Sequence, residues 1–195
     1  MSGILTSTYV DSILSENLVN VKPEVFIETG TYRGDTISEL LGKFRKMHTI
    51  ELSKKWYKKT SKRFLNNKVV TCHQGDSSRV LSDVLKTMHE PVLFYLDAHY
   101  AGKHTARGVE DVPLLDELKI IAKRTYQDIV IIDDAHIIGE KGIYGSNDNP
   151  EYPPMHLDWT HISREKIYRI MQKESKVIWK EKEDRIVLYT NRGLV

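Results

Sequence analysis

Cysteine is nearly missing from this chain: 195 residues contain one, Cys72, within "VVTCHQGD". An intrachain disulfide is therefore impossible, and the thiol reads as buried and inert in a reducing compartment. Long apolar runs are missing too. None approaches the roughly 20 residues that a membrane span requires, so no membrane association is expected. The opening "MSGILTSTYVDS" lacks both a basic region and a long apolar core, which argues against a secretory leader and for a cytoplasmic location. Net charge is small: 29 Lys and Arg against 27 Asp and Glu leave +2. That is too little to imply a nucleic-acid partner. The one basic run, Lys54 to Arg63, is interleaved with Trp56, Tyr57 and Thr60 at helical spacing, with Phe64 just beyond, and reads as the solvated side of a helix.

What is present is enough apolar sequence to bury a core without staples. Short β-branched runs alternate with helix-period segments, the pattern of an α/β domain around a mostly parallel sheet. Strands are expected at 24–28, 47–51, 68–73, 91–97 and 128–133. Between them, Ile37, Leu40, Leu41 and Phe44 form one helical stripe, and Val80, Leu81, Val84, Leu85 and Met88 another. Ser53 and Ser77 stand at N-cap positions, and Asp111 is expected to cap a further helix with Pro113 in its first turn. Residues 135–160, rich in Gly, Pro and aromatics, read as a long irregular and functional loop. A helix is expected over 163–173. After it, Val177 and Trp179 face Ile186 and Leu188 across a charged turn, an antiparallel hairpin that completes seven strands. The whole of 1–195 reads as one domain. Residues 1–23 form an N-terminal helical extension on Ile4, Tyr9, Val10, Ile13, Leu14 and Leu18, which would lid the site, pack on another protomer, or mark the seam with a longer polypeptide.

The first strand runs into "ETGTYRG", a loop at the carboxyl end of a strand, where open α/β sheets bind ligands. A dinucleotide fingerprint would present G-x-G-x-x-G to a pyrophosphate. Here Glu28 replaces the first glycine and would repel an anion, so a cationic ligand suits the loop better. S-adenosylmethionine carries an ammonium, a sulfonium and no phosphate. Glu51 ends the second strand, where an acid can chelate both ribose hydroxyls. Asp76 follows the third, beside the expected adenine edge, and Asp97 ends the fourth.

These acids, in this order, make the chain similar to the class I S-adenosylmethionine-dependent methyltransferases, from about residue 24 to residue 191. The resemblance implies a Rossmann-like, seven-stranded, mostly parallel sheet with helices on both faces and a C-terminal antiparallel hairpin. It matches the family's first motif to Glu28, Gly30, Thr31, Tyr32 and Gly34, with Thr36 just beyond. It matches the ribose acid to Glu51 and the adenine side to Asp76 and Ser77, and Asp97 also faces the donor.

Asp97 after the fourth strand and Asp133 with Asp134 after the fifth gather three hard oxygen donors, a set suited to Mg²⁺ or Mn²⁺. The trio resembles that of the metal-dependent O-methyltransferases acting on catechols or macrolide sugars. Where the catechol enzymes carry a lysine base this chain has Tyr100, and the histidine of the macrolide-sugar enzymes is matched one residue early, by His99. An aliphatic hydroxyl needs a base, for which His99 comes first and His136 second. The loops carrying His104, Arg107, Tyr144, Tyr152, His156, Asp158 and Trp159 suit a sugar or glycan acceptor. The expected activity is methylation of a sugar hydroxyl. Alternatives are a metal-independent small-molecule methyltransferase or a non-catalytic donor-binding module, and a homo-oligomer is possible.

Overall fold

The computed structural model describes residues 4–16, 18–102, 105–149, 153–173 and 176–191, so His104 and Tyr152 lie outside the described residues. The runs VFIET, VLFYL and IVII form strands β1 (Val25–Thr29), β4 (Val92–Leu96) and β5 (Ile129–Ile132), and every residue in them is buried. Burial on both faces is what the centre of a parallel sheet imposes. With β2 (Lys46–Glu51), β3 (Val70–Gln74), β8 (Lys176–Lys182) and β9 (Arg185–Asn191), they make one seven-stranded sheet in the order β3-β2-β1-β4-β5-β9-β8. The first five strands are parallel, and β9 runs antiparallel to both β5 and β8. This is the sheet and closing hairpin that the sequence implies.

Alternate strand residues feed two cores. Val25, Ile27, Phe94 and Val130 meet Leu81, Leu118, Ile167 and Met171 from helices α4 (Ser77–Leu85), α5 (Leu114–Ile121) and α6 (Arg164–Gln172). On the other face Phe26, Leu93, Tyr95 and Ile131 meet α1 (Ser7–Glu16), α2 (Asp35–Glu39) and Phe64, the residue that ends α3 (Lys54–Arg63). From α1, Tyr9, Val10 and Ile13 are buried in this core, so the N-terminal helix is part of the packed layer. None of the helices among the described residues is long and apolar enough to cross a membrane.

Local details depart from expectation in instructive ways. Ser53 caps α3, accepting from Trp56 N at 3.4 Å, but α4 is capped by Asp76 and not Ser77. The Asp76 carboxylate, one residue earlier, accepts from Ser78 N at 3.0 Å and satisfies a free amide of the first turn. Helix α5 begins after Pro113, not at a cap on Asp111. Asp111 instead closes the loop before it: its carbonyl accepts from Tyr100 N at 2.7 Å and its carboxylate pairs with Arg107 at 2.8 Å. Residues 135–160 are not irregular throughout. They contain a 3-10 turn (Ala135–Ile137) and an antiparallel ribbon of β6 (Lys141–Tyr144) and β7 (Met155–Asp158), clasped at its open end by Lys141 and Asp158 at 2.7 Å. Strands of four residues are too short to show a period in the sequence.

Candidate functional site

The strand order reverses between β1 and β4, and a crevice opens at the carboxyl ends of the strands there. The cleft measures about 570 Å³, in the range of small-molecule sites. Of the residues expected at a donor, Glu28, Gly30, Thr31, Tyr32, Thr36, Glu51, Asp76, Ser77 and Asp97 line it, and Gly34 does not. Gly34 opens α2 with φ +76°, and a Cβ there would meet the Phe64 ring at 2.8 Å. Its missing side chain leaves room for that ring. Gly30, with φ +86°, passes so near β4 that a Cβ would lie 2.4 Å from the Asp97 carbonyl oxygen. That approach sets Asp97 beside the glycine loop.

Glu28 is 2% exposed and accepts from Thr49 Oγ1 at 2.7 Å, with the Thr36 hydroxyl also bonded to it. Thr49 in turn pairs closely with the Thr31 hydroxyl. Burial pushes the Glu28 carboxyl up to about 8 against the opposing pull of these hydroxyls. Glu51 is held by two backbone amides, Ser53 N and Tyr32 N, each at 2.7 Å, and its carboxyl is likewise raised by burial. Tyr32 takes a left-handed φ of 47° and packs on Trp56 at 4.4 Å between ring centroids, with the Arg33 guanidinium 5.2 Å from the Tyr32 ring. Trp56 and Arg33 both line the cleft. The sequence placed Trp56 only on the inner side of a helix and gave Arg33 no role. The signal for both lies in the fold, which sets the start of α3 beside the glycine loop.

Beyond Asp97 the acids divide into two roles. Asp133 lines the cleft with its carboxylate already engaged: its Oδ1 lies 2.8 Å from Arg185 Nε, and its Oδ2 accepts from Tyr95 OH at 2.9 Å. Arg185 is itself buried and lies over the Tyr9 ring of α1, 4.9 Å from the centroid. Asp134 has a left-handed φ of 53°, is 2% exposed, and its Oδ1 has no hydrogen-bond partner among the described residues. Its Oδ2 lies 3.5 Å from His99 Nε2, while His99 Nδ1 lies 3.6 Å from Asp97 Oδ1. One ligand atom from each of Asp97, His99 and Asp134 falls within 4.8 Å of the others. The expected trio of carboxylates is thus drawn together at Asp97 and Asp134, with His99 where Asp133 was expected. Asp97 and His99 stand two apart in the segment that follows β4, a nearness the sequence did carry. Enclosure, then the Asp133 and Asp134 charges, hold the Asp97 carboxyl well above the usual carboxylate range, although its side chain keeps 31% exposure and water moderates the shift.

His136 does not line the cleft. Its Nδ1 lies 2.6 Å from Asp184 Oδ2, and its amide donates to Asp184 Oδ1, an anchor between the 3-10 turn and the β8–β9 hairpin. The aromatic and polar set expected to grip a sugar is also displaced. Among the described members, Trp159 is buried edge-on to His99 at 5.4 Å, and Tyr144 packs edge-on to His136. Asp158 is taken by Lys141, and Arg107 stacks on Tyr100 at 4.3 Å. The outer cleft is lined instead by Thr105, Glu110, Ser146 and Asn149, polar groups from the loop after β4 and the tip of the ribbon.

No protein-family model and no curated protein matches the sequence. Solved structures do match the fold. An S-adenosylmethionine-dependent methyltransferase from Clostridium acetobutylicum aligns over 97% of this chain and 93% of its own, with a TM-score of 0.56 and 12% identity. The SAH-bound methyltransferase PaMTH1 of Podospora anserina aligns over 97% of this chain and 80% of its own, with a TM-score of 0.57 and 16% identity. The glycopeptide N-methyltransferase MtfA, in complex with S-adenosyl-L-methionine, aligns over 96% of this chain and 95% of its own, with a TM-score of 0.54 and 9% identity. At such identities the likeness is one of architecture, and the architecture is that of the class I S-adenosylmethionine-dependent methyltransferases.

Proposed function

We propose that the protein is an S-adenosylmethionine-dependent O-methyltransferase that acts on a hydroxyl of a sugar or glycan with the help of a divalent cation, Mg²⁺ or Mn²⁺. The observation that carries this reading is the adjacency of two acidic features in one cleft. Glu28 and Glu51 flank the glycine loop, and the Asp97–His99–Asp134 group stands beside it. The donor set fits a hard cation: two carboxylates, one imidazole, and a buried Asp134 oxygen with no partner among the described residues. Asp97, His99 and Asp134 would hold such an ion, and when bound it would lower the pKa of an acceptor hydroxyl. Asp133 would keep its place on Arg185 and Tyr95.

The chain's own residues would do the rest by alignment. Glu28 would meet the cationic methionine end of the donor, Glu51 the ribose and Asp76 the adenine side. The acceptor oxygen would lie about 3 Å from the methyl carbon, in line with the sulfur. As the new C–O bond forms, the S–C bond breaks and its electron pair returns to sulfur, leaving a neutral thioether. The hydroxyl proton passes to a base of the Asp97–His99–Asp134 group. Thr105, Ser146 and Asn149 favour a polar acceptor over a flat apolar one.

One observation favours a second, ion-free reading. A histidine flanked by two carboxylates at 3.6 and 3.5 Å is also an arrangement that orients a general base. Mass spectrometry of methyl transfer onto a panel of glycosides, with and without EDTA, tests both. Transfer abolished by EDTA and restored by Mg²⁺ or Mn²⁺ supports the first reading, and transfer indifferent to EDTA supports the second. Absence of transfer to every glycoside would remove the sugar acceptor.

A further inference from the structure

Helix α3 carries its charge differently from the other surface helices. Lys86 at the end of α4 pairs with Asp83, Lys119 of α5 with Asp116, and Arg169 of α6 with Glu165. Helix α3, KKWYKKTSKR, contains no acid at all. Arg63 reaches Asp35 of α2 at 2.7 Å, but none of the five lysines pairs with an acid among the described residues, and all five are exposed. Residues four apart share a helix face, so Lys54, Lys58 and Lys62 make one row and Lys55 and Lys59 a second, stepping about 6 Å along the axis. Like charges at that spacing repel one another, a cost that a bound anion removes. The second row runs up to the cleft. Lys59 Nζ lies 4.6 Å, Lys55 Nζ 5.2 Å and the Arg33 guanidinium 5.9 Å from the Trp56 ring centroid. Trp56 and Arg33 both line the cleft, so the cationic face and the cleft wall are continuous.

We propose that the lysine face of α3 seats an acidic glycan, a chain bearing repeated carboxylate, sulfate or phosphate groups, whose reacting sugar enters the cleft past Arg33 and Trp56. This deepens the sugar reading of the cleft and rests on it. A ten-residue helix is about 15 Å long, a length that suits a chain of sugars better than a single one. Two rows of cations with no acid between them complement a repeating anion, and each exposed lysine adds a small, salt-sensitive increment. Single-stranded nucleic acid is the poorer match. It is held by bases stacked on aromatic faces, and Trp56, the ring these cations surround, is 7% exposed.

The test is fluorescence anisotropy with labelled dextran sulfate, uncharged dextran and a single-stranded DNA 20-mer, followed by methyl transfer to acidic and neutral oligosaccharides. Dextran sulfate should bind and uncharged dextran should not. Its affinity should weaken about threefold for each lysine engaged between 50 and 200 mM NaCl. Lys55→Gln with Lys59→Gln, both exposed, should make that salt dependence about ninefold shallower and raise KM for acidic oligosaccharides while leaving KM for neutral ones unchanged. Lys86→Gln with Lys119→Gln removes the same charge from paired lysines on other helices and should change neither. Dextran sulfate that binds both double variants equally overturns the proposal. So does DNA binding more tightly than dextran sulfate through Lys55 and Lys59, which would make the face a nucleic-acid surface. Transfer to neutral and acidic sugars with the same KM overturns it too and leaves the sugar reading intact. Absence of transfer to every oligosaccharide removes the sugar reading itself, a different result from transfer that ignores the lysines.

Discussion

Replacing Gly30 by alanine measures how tightly the glycine loop is pressed against the end of β4. Two costs are readable in the structure. At φ +86° an alanine pays about 1–2 kcal/mol for the left-handed backbone. Its Cβ would also lie 2.4 Å from the Asp97 carbonyl oxygen and 2.7 Å from the carbonyl carbon, both backbone atoms that no rotamer change can move. The glycine loop and the end of β4 would have to part by about 1 Å to reach ordinary contact at 3.4 Å, an overpacking cost of about 1–3 kcal/mol. Gly42 is the internal control, with φ +87° and no heavy atom within 4 Å of a built Cβ. Gly42→Ala should therefore cost about 1–2 kcal/mol and Gly30→Ala about 2–5 kcal/mol. At about 2–4 °C per kcal/mol for a chain this size, differential scanning fluorimetry resolves the two. Donor affinity should fall more than tenfold in Gly30→Ala and stay unchanged in Gly42→Ala. Equal Tm values for the two variants, or normal donor binding by Gly30→Ala, would refute the close approach.

Other outcomes follow from the acids. Arg185→Met should cost about 3–5 kcal/mol in urea unfolding by stranding the buried Asp133 charge, and Asp133→Asn in the same chain should restore much of it. If divalent ions bind at Asp97, His99 and Asp134, calorimetric heat on adding Mn²⁺ should vanish in Asp134→Ala and persist in Asp133→Asn, and the reverse pattern would return Asp133 to the ligand set. Glu117, 1% exposed on α5, has its carboxyl pushed up to about 7 by burial. A folded-state value above the unfolded 4.5 means that its contribution to stability is full below about 4.5 and is lost as the pH rises through 7. Tm measured from pH 5 to pH 8 should decline, and less steeply in Glu117→Gln; parallel curves would reject that assignment.

The parts of the fold legible in the sequence are those where burial acts on both faces. VFIET, VLFYL and IVII announce central strands because apolar residues fill both faces, Glu28 and Thr29 at the exit of β1 apart, and the exits of β4 and β5 bring Asp97, Asp133 and Asp134 to the cleft with little further information. What was not legible depends on partners remote in sequence. Asp133 reads from sequence as a ligand alone, and nothing near it announces the pairing with Arg185 of β9. Gly34 looks like a ligand-approach glycine until Phe64 occupies the space beside it. His136 looks like a base beside its acids until Asp184 takes its ring nitrogen. In each case a tertiary contact gives the residue a neighbour that the nearby sequence does not announce. Asp97 and His99 sit two apart in the segment after β4, so their proximity could have been read without the fold.

The position of β9 between β5 and β8 has a consequence for how the protein comes into being. A ribosome releases β5 well before β9, so for that interval the apolar edge of Ile129–Ile132 has one neighbour instead of two. The guanidinium that balances Asp133 arrives with Arg185, the first residue of that late strand. Nascent protein therefore carries an adhesive open edge and an uncompensated acid together, and one zippering event cures both. Chaperone demand should peak during that interval, and a message cut short ahead of β9 would yield a product that is sticky as well as inactive.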